Sequence, residues 1–208
     1  MKNSFFPWKN RIPHVERFNV VGLFGGSFNP PHAGHLLVAK IAIWRLHLDQ
    51  LWWMVSPGNP LKDCTQLLPL EERMRLSFKL IDHPKIRLTG FEKTIGSKVS
   101  VDTISYILTH SSGVNFVWIM GADSLTTIHH WYRWRDIVSM LPIAIIDRPL
   151  GKKSALSSPM AHIYRRFRLD EKKSKRLPFI KPPVWTYLHG PLSFQSSTNL
   201  RLKKNDFS

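Results

Sequence analysis

Along the chain, short apolar runs alternate with segments whose apolar residues recur every three or four positions. That alternation predicts strands trading places with helices. Asn19–Phe24 reads as a first strand, a β-branched and apolar run ended by glycine. From His35 onward, Leu36, Ala39, Ile43 and Leu46 fall at helical spacing. "LWWMVSPGNP" is a second strand that runs into a proline-rich loop. Leu70 to Ile81 reads as a helix with Met74, Phe78 and Ile81 on one face, followed by a short strand at Ile86–Leu88 and a helix from Val101 to Leu108. "VNFVWIMGAD" is a buried strand ending on glycine and aspartate, Trp131 to Val138 is helical, and "PIAIID" is another buried strand. After a basic stretch, "VWTYLHG" supplies the last strand, and a short helix begins near Ser197.

Strands that alternate with helices pair in parallel and are covered on both faces. The expected class is α/β, with a single doubly wound, mainly parallel sheet. Such sheets bind ligands beyond the carboxyl ends of their strands, near the point where strand order reverses. The 208 residues, 43% hydrophobic, suffice for one core, expected over residues 19–208 behind a poorly ordered extension at 1–18. No apolar run approaches the roughly 20 residues that span a bilayer, and the first 18 residues hold two prolines and no continuous apolar stretch, so neither a membrane span nor a secretory signal is expected. Cys64 is the only cysteine, which leaves no disulfide framework and suits a reducing, cytoplasmic setting. Oligomeric state is not readable at this level.

Charge changes the picture more. Thirty Lys and Arg against 14 Asp and Glu give a formal +16, an excess that attracts polyanions or small phosphorylated substrates. Part of the excess is local: Arg148 to Lys181 holds eleven cations and two acids. That stretch carries no aromatic ladder or known RNA-binding pattern, so it reads as a solvated basic surface and not as a specific nucleic-acid site.

The chemistry concentrates where the first strand meets the first helix. In "GGSFNPPHAGH", Gly25 and Gly26 allow a sharp turn and close approach to a ligand, with amides free to point at phosphate oxygens. The positive end of the following helix adds to that. G-x-G-x-x-G and G-x-x-x-x-G-K-[ST] are both absent. His32 and His35, three residues apart, share a face and can donate hydrogen bonds to oxygens that gain charge in a transition state. Zinc is a competing use of two histidines, but no third ligand lies nearby.

These residues resemble the signature of the H-x-G-H nucleotidyltransferases, a superfamily with a Rossmann-like fold. The resemblance implies that Gly25, Gly26, Ser27 and Phe28 lie against the nucleotide, and that His32 and His35 stabilise the transferring phosphoryl group. "SSTNLR" is similar to the family's second signature, which implies that Ser196, Ser197 and Thr198 hold the outer phosphates of ATP and that Arg201 joins the histidines in catalysis. Gln195 stands where that signature has isoleucine, and seven residues follow Arg201. The order of the intervening motifs resembles bacterial nicotinate-nucleotide adenylyltransferases over residues 19 to 202. By that likeness Gly121 and Asp123 lie close to the bound nucleotide. Lys62, Ser100, Trp131, Tyr132 and Arg148 serve the acceptor, with Trp131 stacked on the pyridine ring. Lys98 and Val99 replace the family's commoner Ser-Tyr. The implied substrates are ATP with Mg²⁺ and nicotinate mononucleotide, with no protein ligand to the metal. The alternatives are another transfer of the same class, such as to phosphopantetheine, or an RNA-binding module.

Overall fold

The computed structural model describes residues 11–58, 67–97, 99–147 and 155–191. A seven-stranded sheet forms the centre, in the order β3-β2-β1-β4-β5-β7-β6. Its strands are β1 (Val20–Gly26), β2 (Gln50–Val55), β3 (Ile86–Thr89), β4 (Asn115–Gly121), β5 (Ile143–Ile146), β6 (Arg168–Leu169) and β7 (Trp185–Leu188). All six pairings are parallel. From β1 the chain winds outward to β2 and β3, then returns to place β4 on the other side of β1. The order therefore reverses between β1 and β4. Phe24 pairs with Ile119 there, and two residues further along each strand come Gly26 and Gly121.

Strand alternation sorts the core into two layers. Val21, Leu23, Trp52, Trp118 and Ile145 face one side, and Phe24, Trp53, Val117, Ile119 and Ala144 face the other. The first layer is covered by α4 (Ser100–His110) and α6 (Trp134–Met140), reached through the short helices α3 (Glu92–Ile95) and α5 (Ala122–Leu125). The second layer is covered by α1 (Ala33–Leu46) and α2 (Leu70–Leu80). Trp52 and Trp53, adjacent in sequence, are both fully buried on opposite faces, as a strand buried on both sides requires.

The structure corrects several expectations. On α2, Met74 is buried but Phe78 is half exposed, and the inward positions are Arg73, Met74 and Ser77. The segment Trp131–Val138 does not begin as a helix. A 3₁₀ turn (Ile128–His130) leads to Trp131, Arg133 adopts a left-handed φ of 50°, and α6 starts only at Trp134. The basic stretch contributes more than a solvated surface. It builds α7 (Pro159–Ile163), the edge strand β6 and a nine-residue 3₁₀ helix (Glu171–Phe179), with Met160, Ala161, Ser174 and Leu177 buried. Among the described residues its cations face outward, Arg165, Arg166, Lys172, Lys173 and Lys175 among them. Within the expected N-terminal extension, residues 11–18 lie along the core. Ile12 and Val15 pack on it, the Arg11 carbonyl accepts from the Thr89 hydroxyl at 2.9 Å, and the Phe18 amide donates to the Gly113 carbonyl at 2.7 Å. The short helix expected near Ser197 lies outside the described residues.

Candidate functional site

At the end of β1 the backbone has little room for side chains. A Cβ on Gly25 would come within 3.1 Å of the Trp118 ring, and one on Gly26 within 3.2 Å of the Phe28 ring. Glycine is what lets the strand pass over two aromatic rings and turn. Ser27, half-buried, follows, and Phe28 is buried in a left-handed conformation, φ 46°. A bulky residue with positive φ is strained, so the surroundings must hold it. Phe28 stacks on Trp53 with centroids 4.4 Å apart and meets Phe24 edge-on at 5.4 Å.

The turn is also held from beneath. Arg73 is buried, and its guanidinium donates to the backbone carbonyls of Ser27 at 2.7 Å, Ser56 at 2.7 Å and Leu68 at 2.8 Å. One side chain thus joins the turn after β1, the loop after β2 and the approach to α2. Asn29 adds a further tie, its side-chain oxygen accepting from the Leu68 amide at 3.0 Å. Sequence reasoning missed Arg73 as a site residue. The available signal was a cation beside Met74 on the inward face of a helix, where a charge is almost never buried without a dedicated set of partners.

His32 is the N-cap of α1, and the two histidines cap the helix reciprocally. The Gly34 amide donates to His32 Nδ1 at 3.1 Å, and the His32 amide donates to His35 Nδ1 at 3.3 Å. Backbone amides only donate, so each Nδ1 must offer a lone pair, and each neutral ring must carry its proton on Nε2. The rings lie 3.8 Å apart, with His32 buried and His35 half-buried against Phe28 at 5.0 Å. The helix start therefore fixes two N–H donors side by side, at the positive end of a 14-residue helix.

Across the switch point, Gly121 is buried as the N-cap of α5, and Asp123 is exposed in its first turn. Ser100 opens α4 and is half-buried. Trp131, half-buried in the turn before α6, packs edge-on against Trp118 at 6.5 Å. The Trp118 ring is the one beneath Gly25, so a line of contact joins Trp131 to the glycine turn. Tyr132 is 64% exposed, outside that line. Lys62, Arg148, Ser196, Ser197, Thr198 and Arg201 lie outside the described residues, as do Gln195 and Lys98.

The chain is similar to known proteins over most of its length. The cytidylyltransferase-like family model matches residues 23–203. Over 190 residues the chain is 52% identical to a probable nicotinate-nucleotide adenylyltransferase of Mesorhizobium japonicum, spanning 91% of this chain and 97% of that protein. It is 55% identical over 181 residues to the Brucella abortus protein of the same name, spanning 87% and 93%. Among solved structures, Plasmodium falciparum nicotinic acid mononucleotide adenylyltransferase complexed with NaAD has a similar fold, with a TM-score of 0.63 at 20% identity, covering 88% of this chain and 83% of that one.

Proposed function

The chain belongs to the cytidylyltransferase-like family and, within it, to the nicotinate-nucleotide adenylyltransferases, and we propose that its site joins nicotinate mononucleotide to ATP. A phosphate oxygen of the mononucleotide attacks the α-phosphorus of ATP in line. The new O–P bond forms as the bond to the pyrophosphate oxygen breaks, giving the deamido dinucleotide and pyrophosphate. No protein nucleophile is needed, because such transfers are catalysed mainly by positioning and charge stabilisation.

The reciprocal cap of His32 and His35 carries this reading. It holds both rings in the Nε2–H tautomer next to the glycine turn, and donors oriented in advance cost little reorganisation as charge grows on the phosphate oxygens. In this scheme Gly25, Gly26, Ser27 and Phe28 form the phosphate-facing turn, and Arg73 braces it with a permanent positive charge. Gly121 and Asp123 border the nucleotide, while Ser100 and Trp131 meet the acceptor. Mg²⁺ would enter with ATP and would supply charge neutralisation on the triphosphate. The Asp123 carboxylate is an oxygen donor of the kind a hard cation accepts. Among the described residues no helix is long and apolar enough to cross a membrane. The proposed setting is the cytoplasm, where both substrates would be met.

Pyrophosphate release from ATP, measured against a panel of phosphorylated acceptors, tests the reading. Nicotinate mononucleotide should be the best acceptor, ahead of its amide, whose uncharged carboxamide forms weaker hydrogen bonds than a carboxylate. Preference for phosphopantetheine would move the protein elsewhere in its family.

A further inference from the structure

Glu92 is a buried carboxylic acid that the proposed reaction does not use. It lies on α3, 6% exposed, and its Oε1 accepts from the Thr103 hydroxyl at 3.0 Å. Thr103 is also buried, on the second turn of α4. The same hydroxyl lies 3.5 Å from the Val99 carbonyl, and Val99 is the N-cap residue of α4. A hydroxyl has one hydrogen, so Thr103 cannot donate to Glu92 and Val99 together. With Glu92 ionised, the hydrogen goes to the carboxylate. With Glu92 protonated, the acid can donate to the threonine oxygen, which releases the threonine hydrogen to Val99. The first turn of α4, where Ser100 lies, is then closed by one additional bond.

Among the described residues, the charges on the neighbouring elements are paired elsewhere or exposed. On α3, Lys93 pairs with Glu71 of α2 at 2.8 Å. On α4, Asp102 accepts from the Ser97 hydroxyl at 2.9 Å, and the Tyr106 ring stacks toward Phe91. On β3, Arg87 is exposed and donates to the Pro84 carbonyl at 2.6 Å, and Arg11 of the N-terminal segment is exposed. None of these acts on the carboxyl. Burial pushes Glu92 up to about 7, and the Thr103 hydroxyl draws it partly back.

We propose that Glu92 and Thr103 are positioning residues whose shared hydrogen bond sets the first turn of α4, and with it the fit of the acceptor's carboxylate at Ser100. The protonated pair is the binding-competent one. This rests on the adenylyl-transfer reading only for the identity of the acceptor.

The test compares wild type, Glu92→Gln and Thr103→Val from pH 6 to 8.5. It follows KM for each substrate, calorimetric binding of nicotinate mononucleotide, and hydrogen exchange of the Thr103 amide, which donates to the Val99 carbonyl at 3.4 Å. In wild type the acceptor KM should rise roughly three- to tenfold above neutrality, the effect of one net hydrogen bond, while the ATP KM follows no such trend. Glu92→Gln, which cannot ionise, should lack that extra rise. Ionisation of the acceptor's own phosphate is common to both proteins and cancels in the comparison. Thr103→Val should weaken acceptor binding at low pH, and Thr103→Ser should restore it. Amide protection of the first turn should fall with pH in wild type alone. Identical pH profiles in wild type and Glu92→Gln would overturn the proposal, as would a Thr103→Val variant that weakens ATP instead. The exchange data report on the turn itself, and so separate a failure of this pair from a failure of the acceptor's identity.

Discussion

In the proposed scheme His32 and His35 each perform two jobs with different ring atoms, a helix cap at Nδ1 and a donor at Nε2, and substitutions can separate them. Asparagine places its side-chain oxygen or nitrogen near where Nδ1 was, and glutamine reaches toward where Nε2 was. His35→Gln should therefore keep part of the turnover, while His35→Asn keeps more of the helix cap and loses about a hundredfold or more in kcat, the worth of one donor to a developing charge. Equal activity in the two variants, measured on folded protein, would refute the assignment of Nε2 as the working atom. Trp131 is partly a core residue, since its edge meets Trp118. Its remaining exposure suits a stacking role. Trp131→Ala should raise the acceptor KM about tenfold to a hundredfold and leave the ATP KM little changed, by analogy with base stacking. A loss confined to ATP would put the ring on the other substrate.

At the scale of elements, α2 matters to the site because of one inward-facing arginine. Arg73→Met retains length and removes every donor, leaving the carbonyls of Ser27, Ser56 and Leu68 without it. The expected cost is about 3 kcal/mol or more, seen as a fall of roughly 6–12 °C in the unfolding midpoint. A midpoint within about 2 °C of wild type would mean that the turn after β1 is held by something else. The same helix illustrates what the sequence conceals. Apolar periodicity located α2 well, yet it assigned Phe78 to the buried face because the pattern carries no information on where the sheet beneath the helix ends, and α2 lies over β2 and the edge strand β3. Arg73 was given no site role because its partners are backbone carbonyls, which no side-chain motif records. By contrast β1, β4 and the glycine–histidine turn were legible. Their composition is dictated locally, by burial on both faces and by the need for Gly25 and Gly26 above two rings. The 3₁₀ helix Glu171–Phe179 was hidden for the opposite reason: its many cations suggested solvent, although Ser174 and Leu177 anchor it to the core.

For the molecule as a whole, titration acts on stability in both directions. Glu92 holds its proton more tightly folded, at about 7, than at the ordinary value of 4.5. Between those values the native state binds more protons than the unfolded one, so this group's contribution is intact below pH 4.5 and is lost as pH rises through 7. The loss is about 3 kcal/mol. Glu171, lowered chiefly by the His189 amide, and Asp82, lowered chiefly by Lys40, act in the opposite sense and stabilise above the usual carboxylate range. Denaturant unfolding from pH 4.5 to 8, taken as the difference between wild type and Glu92→Gln, isolates the first effect. A difference that stays constant with pH would show that the carboxyl is not buried as described. None of this balance was legible beforehand, because Glu92 looks like any surface glutamate until α3 and α4 close over it.

The reciprocal cap at α1 has a consequence for observing the protein. The amides of His32 and Gly34 donate directly into imidazole lone pairs, so protonating either Nδ1 must eject an amide hydrogen from its acceptor. In nitrogen-15 spectra the His32 and Gly34 cross-peaks should move whenever the Nδ1 atoms they serve lose that lone pair. Those two backbone signals would report the state of both histidines without any label on a side chain, and without waiting for turnover.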